Sequence, residues 1–546
     1  MTEPGAGVTA PGWRRLVVAL VLWFGFGAHG YVENTDALAT LHAARALYER
    51  GDPGLLGSAP DATELERTVC ARARAAVDAG QHPSYGMFGR DGAFYVWFPI
   101  GHQLLLLLPV ALGDACEALF PGPAARYRDA KGPLFGELFW AQWWASFVPV
   151  LFGAGSVWCL WWIAFALSRD AQRALWVALA ASLCTQMWPG SSETTSDAPG
   201  QFFLLATAAA VLRIRAGLAG RWTPYQAGFC AGWAVLIRYP HAVPVAVLLG
   251  LLCVHARRTG CWRPVLGVVL AGLPEALLLL AANVLRFDSL FETGYSSGAN
   301  AEFWSYPAYL GVPAVLFAPG KGILWFSPPL WLALAALARR GIAADLRAAT
   351  WLLLVLPIAI IGHTASWAAG QCWGIRYATP SVVLAVAIAL AAAPVRRPRI
   401  VAVVCLLGLV VSLGGVLTPY RGQQQLAYTA AAVVYPGAEQ VDNNVNADPR
   451  FSPLHTHWIY AGLSATGRLE RGGSENTTEP LFGVRVPGPV ALAHPDQDAG
   501  FRHFFWIGLG LPAWVTWAGV VGWALAVAGL VRSGLRRVQA AGSDRR

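Results

Sequence analysis

Charged residues are scarce in this chain. Only 13% of its 546 residues are Asp, Glu, Lys or Arg, whereas 56% are hydrophobic. That balance is too apolar for a soluble protein of this length. Hydrophobic runs of about 20 residues recur along the chain, which is the length that a helix needs to cross a bilayer. Because a helix satisfies its own backbone hydrogen bonds in lipid, we predict an all-α polytopic membrane protein.

The sequence also lacks the cysteine patterns of metal and redox sites. Its nine cysteines form no CxxC pair and no spacing that is typical of a zinc site. Most of them lie in apolar runs, where a cysteine is usually a buried, inert thiol. Cys70 and Cys116 share a predicted outer loop and are the pair that can form a disulfide there.

The net charge of +9 is spread over short arginine clusters between the hydrophobic runs. Such clusters set membrane topology, so we do not predict a nucleic-acid partner. About twelve membrane spans are predicted, at residues 13–31, 138–167, 172–188, 198–214, 225–238, 240–255, 264–285, 321–338, 350–368, 377–394, 400–418 and 506–531. With both termini in the cytoplasm, every strong arginine cluster falls on the inner side.

Two segments need a separate interpretation. Counting Phe94–Gly113 as a span would place the later arginine clusters outside, so we predict an interfacial or re-entrant helix there. Pro240 ends or kinks a helix, so two short spans are predicted to meet near the outer face at Arg238. The first apolar run is interpreted as a retained signal anchor, with a cleaved signal peptide as the alternative.

The predicted topology divides the chain into three parts. Residues 1–418 form a transmembrane module whose long first outer loop, residues 32–137, carries interfacial helices. Residues 419–505 form a small extracytoplasmic segment with strand-like pieces such as Leu481–Val486, and residues 506–546 add a last span and a basic cytoplasmic tail. The loop from Phe287 to Gly320 is also predicted to lie outside.

Two carboxylates are predicted to face the same outer side, each beside the end of a hydrophobic run. Asp36 follows the first run, and Asp197 precedes the run that begins at Ala198. A carboxylate at that depth is costly to bury, which makes a functional role the first hypothesis. The pair indicates an enzyme that acts on a lipid-linked substrate at the membrane face.

Several motifs over about residues 13–420 resemble the GT-C superfamily of integral membrane glycosyltransferases. The likeness is to its bacterial protein-mannosyltransferase-like, family 39-like, and aminoarabinose-transferase-like members. The segments that carry it are Asn34–Asp52, Arg90–Gly101, Ser196–Pro199, Gly228–Pro240, Phe291–Tyr295, Ala318–Gly322 and Gly374–Tyr377. Many relatives have a basic residue near the position of Trp97, and this chain does not. The resemblance implies a polyprenyl-phosphate sugar donor and inverting transfer on the outer face.

The resemblance also implies roles for the acidic residues. Asp36 would be the base that takes the proton from an acceptor hydroxyl. Asp197 would orient the acceptor, share a proton or help to hold a metal, and Glu193 is a second-choice acid. The alternative for Asp36 and Asp197 is that each caps the helix that follows it.

Basic residues at the outer ends of spans are the candidates for holding the donor phosphate. They are Lys321, Arg376 and Arg238. Arginine binds phosphate through two parallel hydrogen bonds, and lysine acts as a point charge. The alternative is that they pair with lipid headgroups or snorkel to the interface.

The expected protein is therefore a sugar transferase of the bacterial inner membrane. Its acceptor would be a glycolipid, a polysaccharide or a protein, and a divalent cation is compatible with the site. A polysaccharide polymerase or assembly protein is the main alternative function. A secondary transporter is the other, although the chain lacks the two related halves that transporters usually show.

Overall fold

The computed structural model describes most of the chain. The described residues are 11–25, 27–28, 30–32, 34–60, 62–81, 83, 85–295, 304–339, 341–393, 397–417, 420–436, 441–465, 482–484 and 513–543. Over these residues the structure is almost entirely helical, so the predicted all-α class is confirmed.

The first half of the chain combines an outer-loop region with the start of the helical bundle. Its helices are α1 (Pro11–Gly25), α2 (Thr35–Arg50), α3 (Glu64–Asp78), α4 (Ile100–Leu119), α5 (Pro121–Phe135), α6 (Phe139–Ala145), α7 (Val148–Ser168), α8 (Ala171–Leu183), α9 (Met187–Gly190), α10 (Asp197–Arg215), α11 (Thr223–Ile237), α12 (Ala242–Thr259) and α13 (Arg263–Phe287). Between α3 and α4, the strands β1 (Gly86–Phe88) and β2 (Phe94–Val96) form an antiparallel hairpin in which Met87 pairs with Tyr95.

The second half completes the bundle and adds a helical C-terminal segment. Its helices are α14 (Ala308–Phe317), α15 (Ile323–Phe326), α16 (Pro329–Leu337), α17 (Ala344–Gly362), α18 (Thr379–Ala392), α19 (Pro398–Leu417), α20 (Tyr420–Val434), α21 (Val441–Ala447), α22 (Pro453–Ala465) and α23 (Ala513–Ser543). We call residues 420–465 the C-terminal segment.

The apolar helices match a multi-pass membrane protein. Six helical stretches in the described residues are long and apolar enough to cross a membrane, and four shorter apolar helices accompany them. This number does not establish the predicted count of twelve. One of the six is α4, so the prediction that this region lies in the interface stays a prediction.

The main core lies between α7, α10 and α18, which are packed against one another and their neighbours. Helix α18 is buried along almost its whole length, and its residues Val382–Leu390 are all Val, Leu, Ala or Ile. Close approach of α11 and α13 depends on Gly228, where an added Cβ would collide with the carbonyl oxygen of Val268.

One prediction about local structure is wrong. The span expected at 321–338 is broken into α15 and α16, since Pro328 and Pro329 interrupt the helix. The loop between Phe287 and Gly320 contains the apolar helix α14, and its predicted outer position stays a prediction. The strand-like piece predicted at 481–486 lies mostly outside the described residues, of which only 482–484 belong to it, as a turn and one isolated bridge residue, so it stays a prediction.

The proposed disulfide in the first loop is also wrong. Cys70 and Cys116 are both free thiols. The sulfur of Cys70 donates to the carbonyl oxygen of Leu55, at 3.6 Å, and that of Cys116 accepts from the indole of Trp144, at 3.4 Å. The first loop is held by packing around α2 and β2 instead.

Candidate active site

Asp36 lies in the first turn of α2, but a different residue caps that helix. The side-chain oxygen of Asn34 accepts a hydrogen bond from the backbone N–H of Asp36, at 2.8 Å. Asn34 thus satisfies the helix end, as asparagine commonly does. The structure therefore does not support capping by Asp36, and its carboxylate, 26% exposed, is directed towards Arg376.

Asp197 is the first residue of α10, and its carboxylate also has partners other than the helix end. One oxygen accepts from the hydroxyl of Thr195, at 2.8 Å, and the other accepts from the guanidinium of Arg238. Arg238 follows the last residue of α11 in an extended conformation, with φ −148° and ψ 114°. The predicted break before Pro240 is thus confirmed, and it places Arg238 against Asp197.

Arg376 lies between the two carboxylates. Its terminal nitrogens are 3.8 Å from an oxygen of Asp36 and 3.6 Å from an oxygen of Asp197. Both distances exceed that of a hydrogen bond, so these are charge contacts. Within the described part of the chain, the Nε of Arg376 is buried and has no hydrogen-bond partner. Its guanidinium therefore retains hydrogen-bond donors that the two carboxylates do not occupy.

The loop that carries Arg376 is fixed by contacts with the helical bundle. Gly374 has a positive φ of 65°, which favours glycine at this turn. The next backbone N–H, of Ile375, donates to the side-chain oxygen of Gln186, at 3.0 Å. Tyr377 then lies near both guanidiniums, with its ring centroid 5.0 Å from Arg238 and 5.2 Å from Arg376.

The two carboxylates differ in their electrostatic surroundings. Burial raises the pKa of Asp36 above its ordinary value, the charge of Asp197 adds to that rise, and Arg376 opposes it. Asp197 is only 14% exposed and contacts two guanidiniums. Asp36 is therefore the carboxylate whose environment favours taking a proton, and Asp197 is held in an ion-pair network.

Lys321 is placed differently from the sequence-based hypothesis. Its side chain is buried, and its ammonium donates to the carbonyl oxygens of Gly370, at 2.8 Å, and Cys372, at 2.5 Å. It also lies 4.3 Å from the ring centroid of Tyr420. In this structure Lys321 holds the loop that precedes Arg376, and its contact with a donor phosphate stays a prediction.

Sequence reasoning missed a second buried arginine, Arg286 near the end of α13. Its guanidinium donates to the carbonyl oxygens of Val96, at 3.4 Å, and Phe98, at 3.1 Å, and to the side chain of Asn283, at 3.1 Å. These bonds attach the first outer loop to the bundle. An arginine at the predicted outer end of a span departs from the positive-inside pattern, and that departure was the available signal.

A metal site is not evident in the residues that the structure describes. No group of three or more His, Cys, Asp or Glu side chains among them is arranged to hold an ion. The divalent cation considered from the sequence thus stays a hypothesis.

The fold and site define the chain as a multi-pass helical membrane protein with two carboxylates and two arginines at one end of the bundle. No protein-family profile and no curated protein matches it. Among solved structures it is similar to ArnT from Cupriavidus metallidurans bound to undecaprenyl phosphate. The TM-score is 0.46 at 16% identity, over 96% of this chain and 78% of that one.

A second solved structure is also similar. It is the oligosaccharyltransferase AglB from Archaeoglobus fulgidus in complex with an inhibitory peptide and a dolichol-phosphate, with a TM-score of 0.38 at 12% identity. The match covers 79% of this chain and 59% of that chain.

Proposed function

We propose that the protein is an inverting glycosyltransferase that moves a sugar from a polyprenyl-phosphate donor to an acceptor hydroxyl on the extracytoplasmic face. The observation that carries this proposal is the unequal pairing of the two carboxylates. Asp197 contacts two arginines, whereas Asp36 has one longer charge contact and a pKa that burial raises. Such a pair supplies one proton acceptor and one fixed anion.

In the proposed reaction, the acceptor oxygen attacks the anomeric carbon from the side opposite to the leaving phosphate. The new C–O bond forms while the bond from carbon to phosphate oxygen breaks, and the electron pair leaves with the phosphate. The hydroxyl proton passes to the carboxylate of Asp36. One base is sufficient, since a phosphate leaving group needs no protonation, and inversion follows from the single displacement.

The leaving phosphate needs positive charge close to it. Arg376 suits this role because it makes no hydrogen bond to either carboxylate and its Nε has no partner among the described residues. Arg238 is bonded to Asp197 and adds a second positive charge to the network. Lys321 contributes indirectly by holding the loop in which Arg376 lies.

The position of the site agrees with action at a membrane face. Asp197 and Arg215 are the first and last residues of the 19-residue helix α10. At 1.5 Å per residue they are about 27 Å apart, close to the thickness of a bilayer core. Arg215 belongs to an arginine cluster that the sequence predicts to be cytoplasmic, so the site lies at the opposite, outer end. We place the protein in the bacterial inner membrane, with a glycolipid, polysaccharide or protein as acceptor.

The proposal is tested with purified protein in nanodiscs, a panel of labelled polyprenyl-phosphate sugars and a cell-envelope extract as the source of acceptor. The expected result is transfer of label from one donor, with the opposite anomeric configuration in the product. Retention of configuration would contradict the single displacement. No transfer from any donor by folded protein would favour a polymerase, an assembly protein or a transporter. Parallel reactions with EDTA test whether the transfer needs a divalent cation.

A further inference from the structure

The chain interrupts its helical path beside the candidate active site, between α11 and α12. Arg238 follows α11 in an extended conformation, and Tyr239–His241 form a short 3₁₀ turn before α12 begins. Pro240 has no backbone N–H, so a continuous helix through this point would lose a hydrogen bond. From the extended position, the guanidinium of Arg238 donates to the carboxylate of Asp197. The geometry of the interruption therefore decides where Arg238 lies.

Three hydrogen bonds hold this interruption, and the side chain of His241 makes one of them. The backbone N–H of Arg238 donates to the carbonyl oxygen of Ala234, at 3.0 Å, and the backbone N–H of His241 donates to the carbonyl oxygen of Arg238, at 3.1 Å. The Nδ1–H of His241 donates to the same carbonyl oxygen of Ala234, at 3.2 Å. Nδ1 must carry the hydrogen, because a carbonyl oxygen only accepts. The imidazole thus joins the last turn of α11 to the turn that follows Arg238.

The imidazole has room beside Arg238 because α10 carries a glycine at the facing position. Gly200 is three residues after Asp197, so the two residues lie on one face of α10. A Cβ added at Gly200 would lie 2.7 Å from Cε1 of His241 and 3.4 Å from Cδ of Arg238. His241 is only 7% exposed, so protein encloses its ring. The two side chains therefore pack together against α10, one turn from the carboxylate that Arg238 neutralises.

We infer that His241 is a positioning residue, whose imidazole holds Arg238 in the extended conformation that pairs it with Asp197. Without the bond to Ala234, the turn after α11 can shift and the guanidinium of Arg238 moves with it. Asp197 also lies 3.6 Å from Arg376, so such a shift changes the charge balance around the proposed phosphate ligand. The effect on Arg238 follows from the fold alone, whereas its consequence for sugar transfer rests on the proposed function.

The test measures how fast phenylglyoxal, a reagent for guanidinium groups, modifies Arg238 in protein that is held in nanodiscs without any donor. Peptide mass spectrometry gives the rate at Arg238, whose side chain is 13% exposed in its pair with Asp197. His241→Leu removes the imidazole donor at similar volume. It should raise the rate by about two- to tenfold, the shift that loss of one neutral hydrogen bond causes. His241→Asn keeps an N–H at the position of Nδ1 and should restore the wild-type rate.

Matched controls separate this effect from a general loss of stability. His42→Leu removes another buried histidine, in α2, and should leave the rate at Arg238 unchanged. Gly200→Ala displaces the imidazole through its added Cβ, so it should raise the rate as His241→Leu does, and it replaces that variant if His241→Leu does not fold. Gly250→Ala in α12 is its control, since an added Cβ there meets no atom within 4 Å.

A double-mutant cycle connects the position of Arg238 to sugar transfer. His241→Leu should lower turnover when Arg238 is present. In protein that already carries Arg238→Gln, the same change should alter turnover by less than about twofold, because residues that act through one contact are not additive. Additive losses would show that His241 affects transfer independently of Arg238 and would contradict the inference.

Three results of the phenylglyoxal measurement would also overturn the inference. They are a wild-type rate at Arg238 in Gly200→Ala and in folded His241→Leu, an equal increase in His42→Leu, and a failure of His241→Asn to restore the rate. The measurement needs neither donor nor turnover, so it is independent of the transfer reaction. The expected rates in a protein without transferase activity would refute the proposed function alone.

Discussion

At the scale of single residues, Asp36 and Asp197 show how identical side chains acquire different properties. Asp197 neutralises Arg238 and contacts Arg376, and both members of the direct pair are mostly buried, at 14% and 13% exposure. Asp36 has one charge contact, and its surroundings raise its pKa. Removing the charge of Asp197 should therefore lower the free energy of unfolding, whereas removing that of Asp36 should not.

We predict that Asp197→Asn destabilises the protein by about 3–5 kcal/mol, because it leaves a buried arginine without a counter-charge. Asp36→Asn should not destabilise it at neutral pH. A carboxyl whose folded pKa is raised stabilises the fold only at low pH, and that contribution is lost as the pH rises through the raised value. Thermal melting in detergent measures the stability of both variants, and Asp91→Asn, a change at an exposed residue, is the control. Equal losses in the two variants would contradict this account.

The pH dependence of transfer provides a second residue-scale prediction. Asp36 must be ionised to take a proton, so activity should fall on the acid side as its raised pKa is crossed. Arg376 lowers that pKa, and Arg376→Gln should therefore move the acid limb to higher pH. The measurement is the pH–rate profile of each protein, with Arg90→Gln in the exposed hairpin loop as control. An acid limb that stays in place or moves to lower pH would contradict the assignment.

The sequence identified four of the residues at this site but not their contacts. Asp36, Asp197, Arg238 and Arg376 are adjacent to span ends, and hydrophobic runs reveal those ends. Their pairing depends on how loops from distant parts of the chain meet, which a single sequence does not encode in any local pattern. Lys321 also lies at a predicted span end, but that position does not indicate that its ammonium donates to two backbone carbonyl oxygens.

At the scale of elements, apolar runs located most helices but not their interruptions. The run at 321–338 was predicted as one span, although it contains Pro328 and Pro329 and is broken there. The same reasoning succeeded at Pro240, where the sequence was interpreted as a break. The β1–β2 hairpin was not predicted, because its strands have three residues each and are too short for a periodic pattern.

Arg286 is the residue that joins two elements, the end of β2 and the end of α13. We predict that Arg286→Met leaves the carbonyl oxygens of Val96 and Phe98 without their donor and loosens the first outer loop. Each lost bond to the charged group is worth about 1.5–3 kcal/mol. Limited proteolysis followed by mass spectrometry should show faster cleavage within residues 80–98 than in wild type. Unchanged cleavage would mean that packing alone holds the loop.

At the scale of the whole molecule, two of the arginine clusters lie at the end of the bundle opposite to the candidate site, since Asp197 and Arg215 are the two ends of α10. Arg215 and Arg258, from two clusters predicted to be cytoplasmic, both bond to Asp345, at 2.9 Å and 2.7 Å. Their meeting at one end agrees with the predicted topology, since both clusters would share one side of the membrane. The number of spans could not be predicted as reliably, because several apolar helices are short or broken.

Cys261 offers a direct test of this topology. It is exposed, and it lies between Arg258 and Arg263 in a cluster that is predicted to be cytoplasmic. We predict that a membrane-impermeant maleimide labels it only after the membrane is opened, with Cys261→Ser as the background control. A cysteine placed by Asp91→Cys in the hairpin loop should be labelled in intact spheroplasts. Labelling of Cys261 in intact spheroplasts would contradict the predicted topology.

The central claim is that Asp36 accepts the proton of the acceptor. The most direct measurement compares initial rates of sugar transfer by the wild type and by Asp36→Asn, at equal folded protein and saturating donor. Loss of a positioned general base predicts a decrease of about 10²–10⁴-fold, whereas Asp91→Asn should keep the wild-type rate. Transfer by Asp36→Asn at a rate close to that of the wild type would contradict the account.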